Sequence, residues 1–124
     1  METVEIETNV YTSFKENTTL MGLLANADKS IFHYVAPEVF PDLPILVYSA
    51  ISDEPILHGD NIEKLHNVTI RIHIVYGEHD YSQIYSEVKN IMQELGFTRV
   101  NTTPYESHDG VKMLITDFEI ITGG

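Results

Sequence analysis

The sequence predicts an α+β fold in which helices pack on a mostly antiparallel sheet of four or five strands. Residues 66–76 alternate between apolar and mostly polar side chains, the pattern of a strand that is buried on one face. Residues 81–95 carry apolar side chains at helical spacing. Strand-like and helix-like segments do not alternate regularly, which argues against a parallel, doubly wound sheet. All 124 residues are assigned to one domain, because no repeat and no Gly/Ser-rich linker divides them.

Residues 4–27 are predicted to be helical, in one piece or in two. Ile6, Val10 and Phe14 recur every four residues, and glutamates lie in the first turn, where the helix dipole favours negative charge. Asn17 is followed by two threonines, so helix propensity falls there and side chains that commonly cap helices appear. We therefore expect a break or bend at Asn17, followed by a short helix that carries three leucines.

The middle of the chain is predicted to contain short strands separated by prolines. Residues 31–35 and 45–51 are rich in β-branched and aromatic side chains. Pro44 lacks a backbone donor, which fits the first residue of a strand. Residues 52–61 contain several turn-forming residues and are predicted to form a loop that projects from the body.

The predicted long helix at residues 81–95 has clear start and stop signals. Asp80 followed by Gln83 is a capping-box pattern, and Gly96 suits the left-handed position that ends a helix. Ile84, Val88 and Leu95 belong to a single apolar stripe along one side. The helix is therefore expected to pack by this stripe on the sheet.

The C-terminal quarter is predicted to form a β-hairpin. Strands at residues 97–105 and 111–121 flank a turn that contains Asp109-Gly110, a strong hairpin signal. The apolar residues of the last strand change phase along its length, which predicts a bulge near Thr116-Asp117.

Composition and charge exclude several classes of function. Seven Lys and Arg face 19 Asp and Glu, giving a net charge of −12, so a nucleic-acid backbone and a cationic membrane-surface helix are both disfavoured. There is no cysteine, which excludes disulfides and thiolate chemistry. No apolar run is long enough to cross a bilayer, and the N-terminus lacks the pattern of a signal peptide. We expect a soluble protein that is made inside the cell.

No group of residues predicts catalysis, a metal or a cofactor. Residues 58–60 and 78–80 each combine His with acidic residues, but both segments have turn character. His66 and His73 are seven apart on one strand, so they point to opposite faces. Residues 107–109 contain the residue types of a Ser-His-Asp triad, but contiguous turn residues do not converge across a pocket. The expectation is that the protein is not an enzyme.

The arrangement resembles the tail-completion, or tail-terminator, proteins of long-tailed bacteriophages and their prophage relatives. Three features carry the resemblance: the proline-led strand and acidic turn at 44–55, the alternating strand at 68–77 followed by the capped helix, and the closing hairpin at 96–120. The resemblance covers nearly the whole chain in element order.

The resemblance implies a structural protein of the virion that is made in the host bacterial cytoplasm. Its members cap the head-proximal end of the tail tube and join the tail to the head connector, as a ring that is expected to have six subunits. The implied partners are further copies of the chain, the major tail-tube protein and the connector proteins, and DNA passes through the lumen without sequence recognition. A ring of six copies at −12 each would carry about −72, so we expect the isolated protein to be largely monomeric at low salt.

A ring needs two different contact patches on each subunit. One candidate patch is the acidic segment with two apolar residues, and the other is the proline-punctuated segment. The candidate interface residues are Asp53, Glu54, Ile56 and Leu57 in the first patch, and Val39, Phe40 and Leu43 in the second. Ile56 and Leu57 have an alternative interpretation, as an apolar plug that folds back on the body.

Two other functions stay open at the level of sequence. The first is a head-completion or stopper protein, which differs from a tail terminator in its partner. The second is a small acidic binding or regulatory module with a pocket under the strand-helix layer.

Overall fold

Helices cover one face of a five-stranded sheet in the computed structural model of the protein, which confirms the α+β fold. The structure describes residues 1–35, 41–59 and 62–123, of which 57–59 and 62–64 are described by their backbone alone. The helices are α1 (Thr3–Glu16), α2 (Thr18–Leu23) and α3 (Ser82–Glu94), with a 3-10 turn at Ala27–Ser30. The strands are β1 (Ile31–His33), β2 (Ile45–Gly59), β3 (Ile62–Val75), β4 (Thr98–Glu106) and β5 (Lys112–Gly123).

The sheet has the strand order β1-β2-β3-β5-β4. The β1–β2 pair is parallel, and the other three pairs are antiparallel, so the predicted mostly antiparallel sheet is confirmed. Strands β4 and β5 form the predicted C-terminal hairpin. The long β3 lies at the centre and pairs with β2 on one side and β5 on the other.

The N-terminal helix is broken at Asn17, where the sequence indicates a break. Asn17 ends α1 and also caps α2, because its side-chain oxygen accepts a hydrogen bond from the Leu20 N–H at 2.8 Å. The cap satisfies one of the N–H groups that the start of a helix leaves without a partner. The chain therefore changes direction there while Phe14 and Leu20 both stay fully buried.

The core lies between the helices and one face of the sheet. Val68, Ile70, Ile72 and Ile74 of β3 are fully buried in the same cluster as the apolar residues of α1 and α3. Burial of each of these side chains contributes about 1.5–3 kcal/mol of transfer free energy. The alternation of β3 thus separates a helix-covered face from an opposite face, which we call the open face.

The predicted loop is wrong at residues 52–59, and its last two residues, 60 and 61, lie outside the described residues. Residues through Gly59 continue β2, and β3 begins at Ile62, so the two strands form a much longer hairpin than the sequence suggests. Turn-forming residues are tolerated here because the register of the hairpin shifts at Ile51 and again at Ile56. Such bulges absorb residues that do not fit a regular ladder.

Two finer predictions about the second half are also corrected. Asp80 and Gln83 do not form a capping box: the Asp80 carboxylate accepts hydrogen bonds from the N–H and hydroxyl of Ser82, and α3 starts at Ser82. The bulge is in β4 at Val100, and not in β5 at Thr116-Asp117, since the β3–β5 register runs without interruption. The change of phase in β5 reflects apolar residues on both of its faces.

Candidate assembly surfaces

The first predicted patch lies on the far half of the β2–β3 hairpin. Strand β1 pairs only with residues 46–48 of β2, and β5 pairs with β3 only from Leu65 onward. The hairpin therefore continues beyond both neighbouring strands only at residues 57–59 and 62–64, a two-stranded ribbon that we call the arm. Glu54 and Ile56 are exposed just before the arm, where Ile56 is 50% exposed, and Leu57 is described by its backbone alone. An exposed Ile56 does not fit the plug interpretation.

The second predicted patch is only partly visible. Val39 and Phe40 lie outside the described residues. Leu43 is partly buried against a small cluster formed by Ile45, Val47 and Val75, and an atom of its side chain lies 2.7 Å from where Gly77 would carry a Cβ. Leu43 is thus engaged in packing within its own subunit and is only partly exposed, and its role at an interface stays a prediction.

Asp53, predicted as an interface residue, instead connects the hairpin to the N-terminal helix. Its carboxylate accepts a hydrogen bond from the Thr3 hydroxyl at 2.6 Å and lies 2.6 Å from Nδ1 of the buried His66. The hydrogen bond from Thr3, followed by that from His66, lowers the pKa of Asp53. The second ring nitrogen of His66 lies 3.0 Å from the carbonyl oxygen of Met1, so the doubly protonated ring is the form that donates to both acceptors.

A second histidine–carboxylate pair holds α1 against β1 and β2. The Glu7 carboxylate is 6% exposed, lies 2.6 Å from Nε2 of His33 and accepts the Ala50 N–H at 3.0 Å. The His33 ring stacks on Tyr48 with ring centroids 4.9 Å apart. Burial raises the pKa of Tyr48, and the negative charge of Glu7 raises it further. Glu7 thereby satisfies the backbone N–H of Ala50, which lies on the edge of β2 beyond the end of β1.

The open face has a polar centre. Arg71 donates two hydrogen bonds to the buried Asp117, at 2.9 and 3.0 Å, and Asn67 donates to Glu119 at 3.0 Å. His73 lies beside Arg71 on the same face, and burial, followed by the charge of Arg71, lowers its pKa. Each carboxylate on this part of the sheet is therefore held by a donor from the neighbouring strand.

Two exposed apolar side chains lie on the open face. By the pairing register, Tyr105, which is 49% exposed, lies beside Met113, and Ile121, which is 60% exposed, lies beside Asn67. Ile51 and Val100 are the extra residues at two of the bulges, and they are 45% and 49% exposed. No helix of the described residues packs on the open face, but its end at Ile45, Val47 and Val75 is buried, so the face is exposed only in part.

Residues 78–80 and 107–109, two of the three segments that combine reactive residue types, form turns in the structure. In the third, residues 58 and 59 belong to β2, and Asp60 lies outside the described residues. Ser107 accepts the Val111 N–H with its side chain, and its backbone carbonyl accepts the Gly110 N–H. Asp80 binds Ser82, as described above. Within the described ranges, no three His, Asp or Glu side chains are grouped as a metal site would require.

A narrow cleft opens between α1, the end of α3 and the end of β5. It encloses about 80 Å³ and is lined mostly by apolar side chains, including Ile6, Val10, Leu95 and Phe97. This volume is well below the roughly 300–1,000 Å³ of small-molecule sites.

Sequence reasoning did not identify Glu7 as a buried residue, although the sequence contains a signal. Glu7 precedes Val10 by three residues and Phe14 by seven, so it lies on the apolar side of α1. Nothing in the spacing indicates that Asp53 and His66 meet, because their contact depends on the register of a hairpin.

No protein-family model matches the chain, and no curated protein matches it significantly. Among the described residues, no helix is both long enough and apolar enough to span a membrane. The chain has an α+β fold, and its function is inferred below from the surfaces described above.

Proposed function

We propose that the protein is a structural assembly subunit of a bacteriophage tail, which forms a ring at the head-proximal end of the tail tube and joins it to the head connector. The ring is proposed to have six copies, to let DNA pass through its lumen and to act without catalysis. The sequence resemblance set out above supports this proposal, together with the α+β fold expected for such a protein.

The arm is the observation that carries the proposal. A two-stranded ribbon is at best marginally stable in water, because it cannot bury either of its faces. Ile56, which directly precedes this ribbon in β2, is half exposed. An arm of this kind gains its burial from a neighbouring molecule, as a subunit of a ring provides.

Two prolines affect how copies can join, one in the part of β2 that extends beyond β1 and one in the edge strand β4. Pro55 lies in β2 and Pro104 in β4, and a proline cannot donate a hydrogen bond to an added strand. Continuous strand addition at either edge is therefore disfavoured. Side-chain contacts of the arm and of sheet faces are the better candidates for joining subunits.

The test is electron microscopy of phage particles made with and without this protein. Without it, we expect full heads beside unjoined, overlong tails. A variant with Ile56→Asp and Leu57→Asp is expected to fold but to leave tails unjoined. Val4→Asp is the matched control, because Val4 is a 72% exposed apolar residue on α1 and is not part of the arm. Normal virions in the absence of the protein would contradict the proposal.

The apolar lining of the cleft beside α1 favours a second candidate, a small binding or regulatory module. At about 80 Å³ the cleft has room only for a very small apolar group. A ligand that binds only the folded protein raises its melting temperature, so a thermal-shift screen of metabolites tests this function. A head-completion protein stays a third candidate and would be recovered on purified heads that lack tails.

A further inference from the structure

We propose that His66 is a pH-operated latch, whose doubly protonated ring holds Met1 in place and whose loss of a proton lets the Met1 side chain leave the apolar cleft beside α1. The switch is built into the subunit itself, so it does not depend on the proposed role in a phage tail.

The latch is a buried histidine ring between two oxygen acceptors. His66 lies in β3 and is 4% exposed. Its Nδ1 atom lies 2.6 Å from a carboxylate oxygen of Asp53 in β2, and its Nε2 atom lies 3.0 Å from the carbonyl oxygen of Met1. A doubly protonated ring donates at both nitrogens, whereas a neutral ring has one N–H and one lone pair. A neutral ring therefore satisfies only one of the two acceptors.

Met1 is the partner that the neutral ring releases. A hydrogen bond to a carboxylate is stronger than one to a neutral carbonyl, and the Thr3 hydroxyl also fixes Asp53 at 2.6 Å. The remaining proton therefore stays on Nδ1 of His66, and the lone pair of Nε2 faces the Met1 carbonyl oxygen. Two electronegative atoms repel at this distance, so Met1, which is 48% exposed, moves away.

The charges around the ring set the direction of the switch. Burial disfavours the charged ring of His66, and the Asp53 carboxylate beside it favours that form. The amine of Met1 carries the same sign as the charged ring and opposes it. The first turn of α1 contributes Glu2 and Glu5, whose side chains are engaged with the backbone in the capping box of that helix. The residues that pair with His66 in the neighbouring strands are uncharged, and they are Pro55 and Thr122.

The latch is expected to be closed in mild acid and to open as the pH rises. Both acceptors of His66 are partners of the charged ring, so the hold on Met1 is present at acid pH and is lost as the pH rises through the titration of His66. The pKa of Asp53 is lowered, first by the hydrogen bond from Thr3 and then by that from His66, so its carboxylate stays charged in mild acid.

Met1 forms part of the wall of the cleft beside α1. It lines the cleft together with Val10 and Asn9, and Nδ2 of Asn9 lies 3.5 Å from Sδ of Met1. With Met1 in place the cleft encloses about 80 Å³, which is too little for most small molecules. The Met1 amine donates a hydrogen bond to the Gly123 carbonyl oxygen, so we expect Met1 to turn about this bond when the ring releases it. The cleft then loses one wall and has room for a small apolar ligand.

The experiment is an NMR titration of the purified full chain from about pH 5 to about pH 7.5, a range that brackets the ordinary titration of histidine. Methionine is labelled at its carbonyl carbon and glutamate at its nitrogen, which selects the single Met–Glu step of the sequence, Met1–Glu2. The shift of the Met1 carbonyl carbon reports its hydrogen bond, and the ring signals of His66 report its protonation. We expect both signals to change with the same midpoint.

Variants separate the latch from other titrations. In His66→Gln, the Met1 carbonyl signal is expected to lack the transition seen in the wild type. His108→Gln is the matched control and is expected to behave as the wild type, because His108 is an exposed histidine between β4 and β5. Circular dichroism melts verify that the variants are folded. If His66→Gln does not fold, Asp53→Asn replaces it: the charged ring loses its carboxylate partner, so the shared midpoint is expected to fall by at least about one pH unit.

Xenon tests whether the latch controls the cleft, since it is a small apolar atom that enters apolar cavities. Under xenon pressure, the methyl signals of Val10 in the wild type are expected to shift at least about twofold more at the upper end of the pH range than at the lower end. In His66→Gln the shifts are expected to be equal at both ends. A Met1 carbonyl signal that stays constant while His66 loses its proton, a transition that persists in folded His66→Gln, or wild-type xenon shifts that do not depend on pH would each overturn the inference.

Discussion

Replacement of the buried Glu7 provides a direct test of how the N-terminal helix is attached to the sheet. The carboxylate of Glu7 accepts hydrogen bonds from the His33 ring and the Ala50 N–H. Glu7→Ala removes both bonds at once and leaves the Ala50 N–H without its partner. We expect the folded protein to lose stability, with the loss arising from the attachment of α1 and not from the core.

The magnitude follows from the two contacts. A hydrogen bond to a charged group contributes about 1.5–3 kcal/mol, and a buried donor left without a partner costs about 1–3 kcal/mol. Half of the His33 side chain is open to water, which reduces the sum, so we expect Glu7→Ala to lower the free energy of unfolding by about 2–4 kcal/mol. Glu7→Gln keeps one acceptor oxygen and is expected to cost about half as much.

Urea unfolding followed by circular dichroism measures the effect. For a slope of about 2 kcal/mol per molar urea, Glu7→Ala is expected to lower the midpoint by about 1–2 M. Glu16→Ala is the matched control, since Glu16 is an exposed glutamate at the other end of α1 and its loss is expected to change stability by less than about 0.5 kcal/mol. If Glu7→Ala and Glu16→Ala unfold at the same urea concentration, the proposed attachment is refuted.

Three further predictions concern the charged groups of the sheet. The pKa of Asp53 is lowered, chiefly by the Thr3 hydrogen bond. The stabilising contribution of its carboxylate is therefore present above the ordinary pKa near 3.8 and is lost as the pH falls through the lowered folded value. When the free energy of unfolding is measured as the pH is lowered, Asp53→Asn is expected to lack this loss. The pKa of His73 is lowered by burial, so the stability that its neutral form contributes rises with pH and is complete above about 6.5. In urea melts between pH 5 and 7, the free energy of unfolding is expected to change less with pH for His73→Gln than for the wild type. Arg71→Ala leaves the buried Asp117 without its two hydrogen bonds and is expected to cost about 1–3 kcal/mol in thermal or urea unfolding; Arg71→Lys is expected to recover only part of this, since lysine lacks the planar fork, and full recovery would contradict the role of the paired geometry.

The predictions that succeeded from sequence concern local periodicity and capping. The four-residue spacing of α1, the two-residue alternation of β3 and the cap at Asn17 each depend on neighbours within a few positions. Gly96 has the positive φ of 97° expected at the end of α3. These features are fixed by the geometry of the backbone, so the pattern of side chains is sufficient to recognise them.

The wrong predictions concern residues whose structure depends on the pairing of two strands. Residues 52–59 have turn-forming composition, yet they continue β2 because β3 supplies a partner along their whole length. The bulge lies in β4 because β5 is held in register by β3 on its other side, and the irregularity falls on the outer strand. The pairing of a β-strand depends on both segments that form the ladder, so the β-propensity of one segment alone does not predict it.

The sequence by itself determined the class of fold, the positions of the main helices and the buried face of the central strand, since each depends on contacts within one turn or one alternation. Only the tertiary structure decided which carboxylates meet which histidines. Thr3 and Asp53 are 50 positions apart, and Glu7 and His33 are 26 apart. Such pairs come together through strand register and helix docking, which are set by the packing of the whole chain and not by any local pattern.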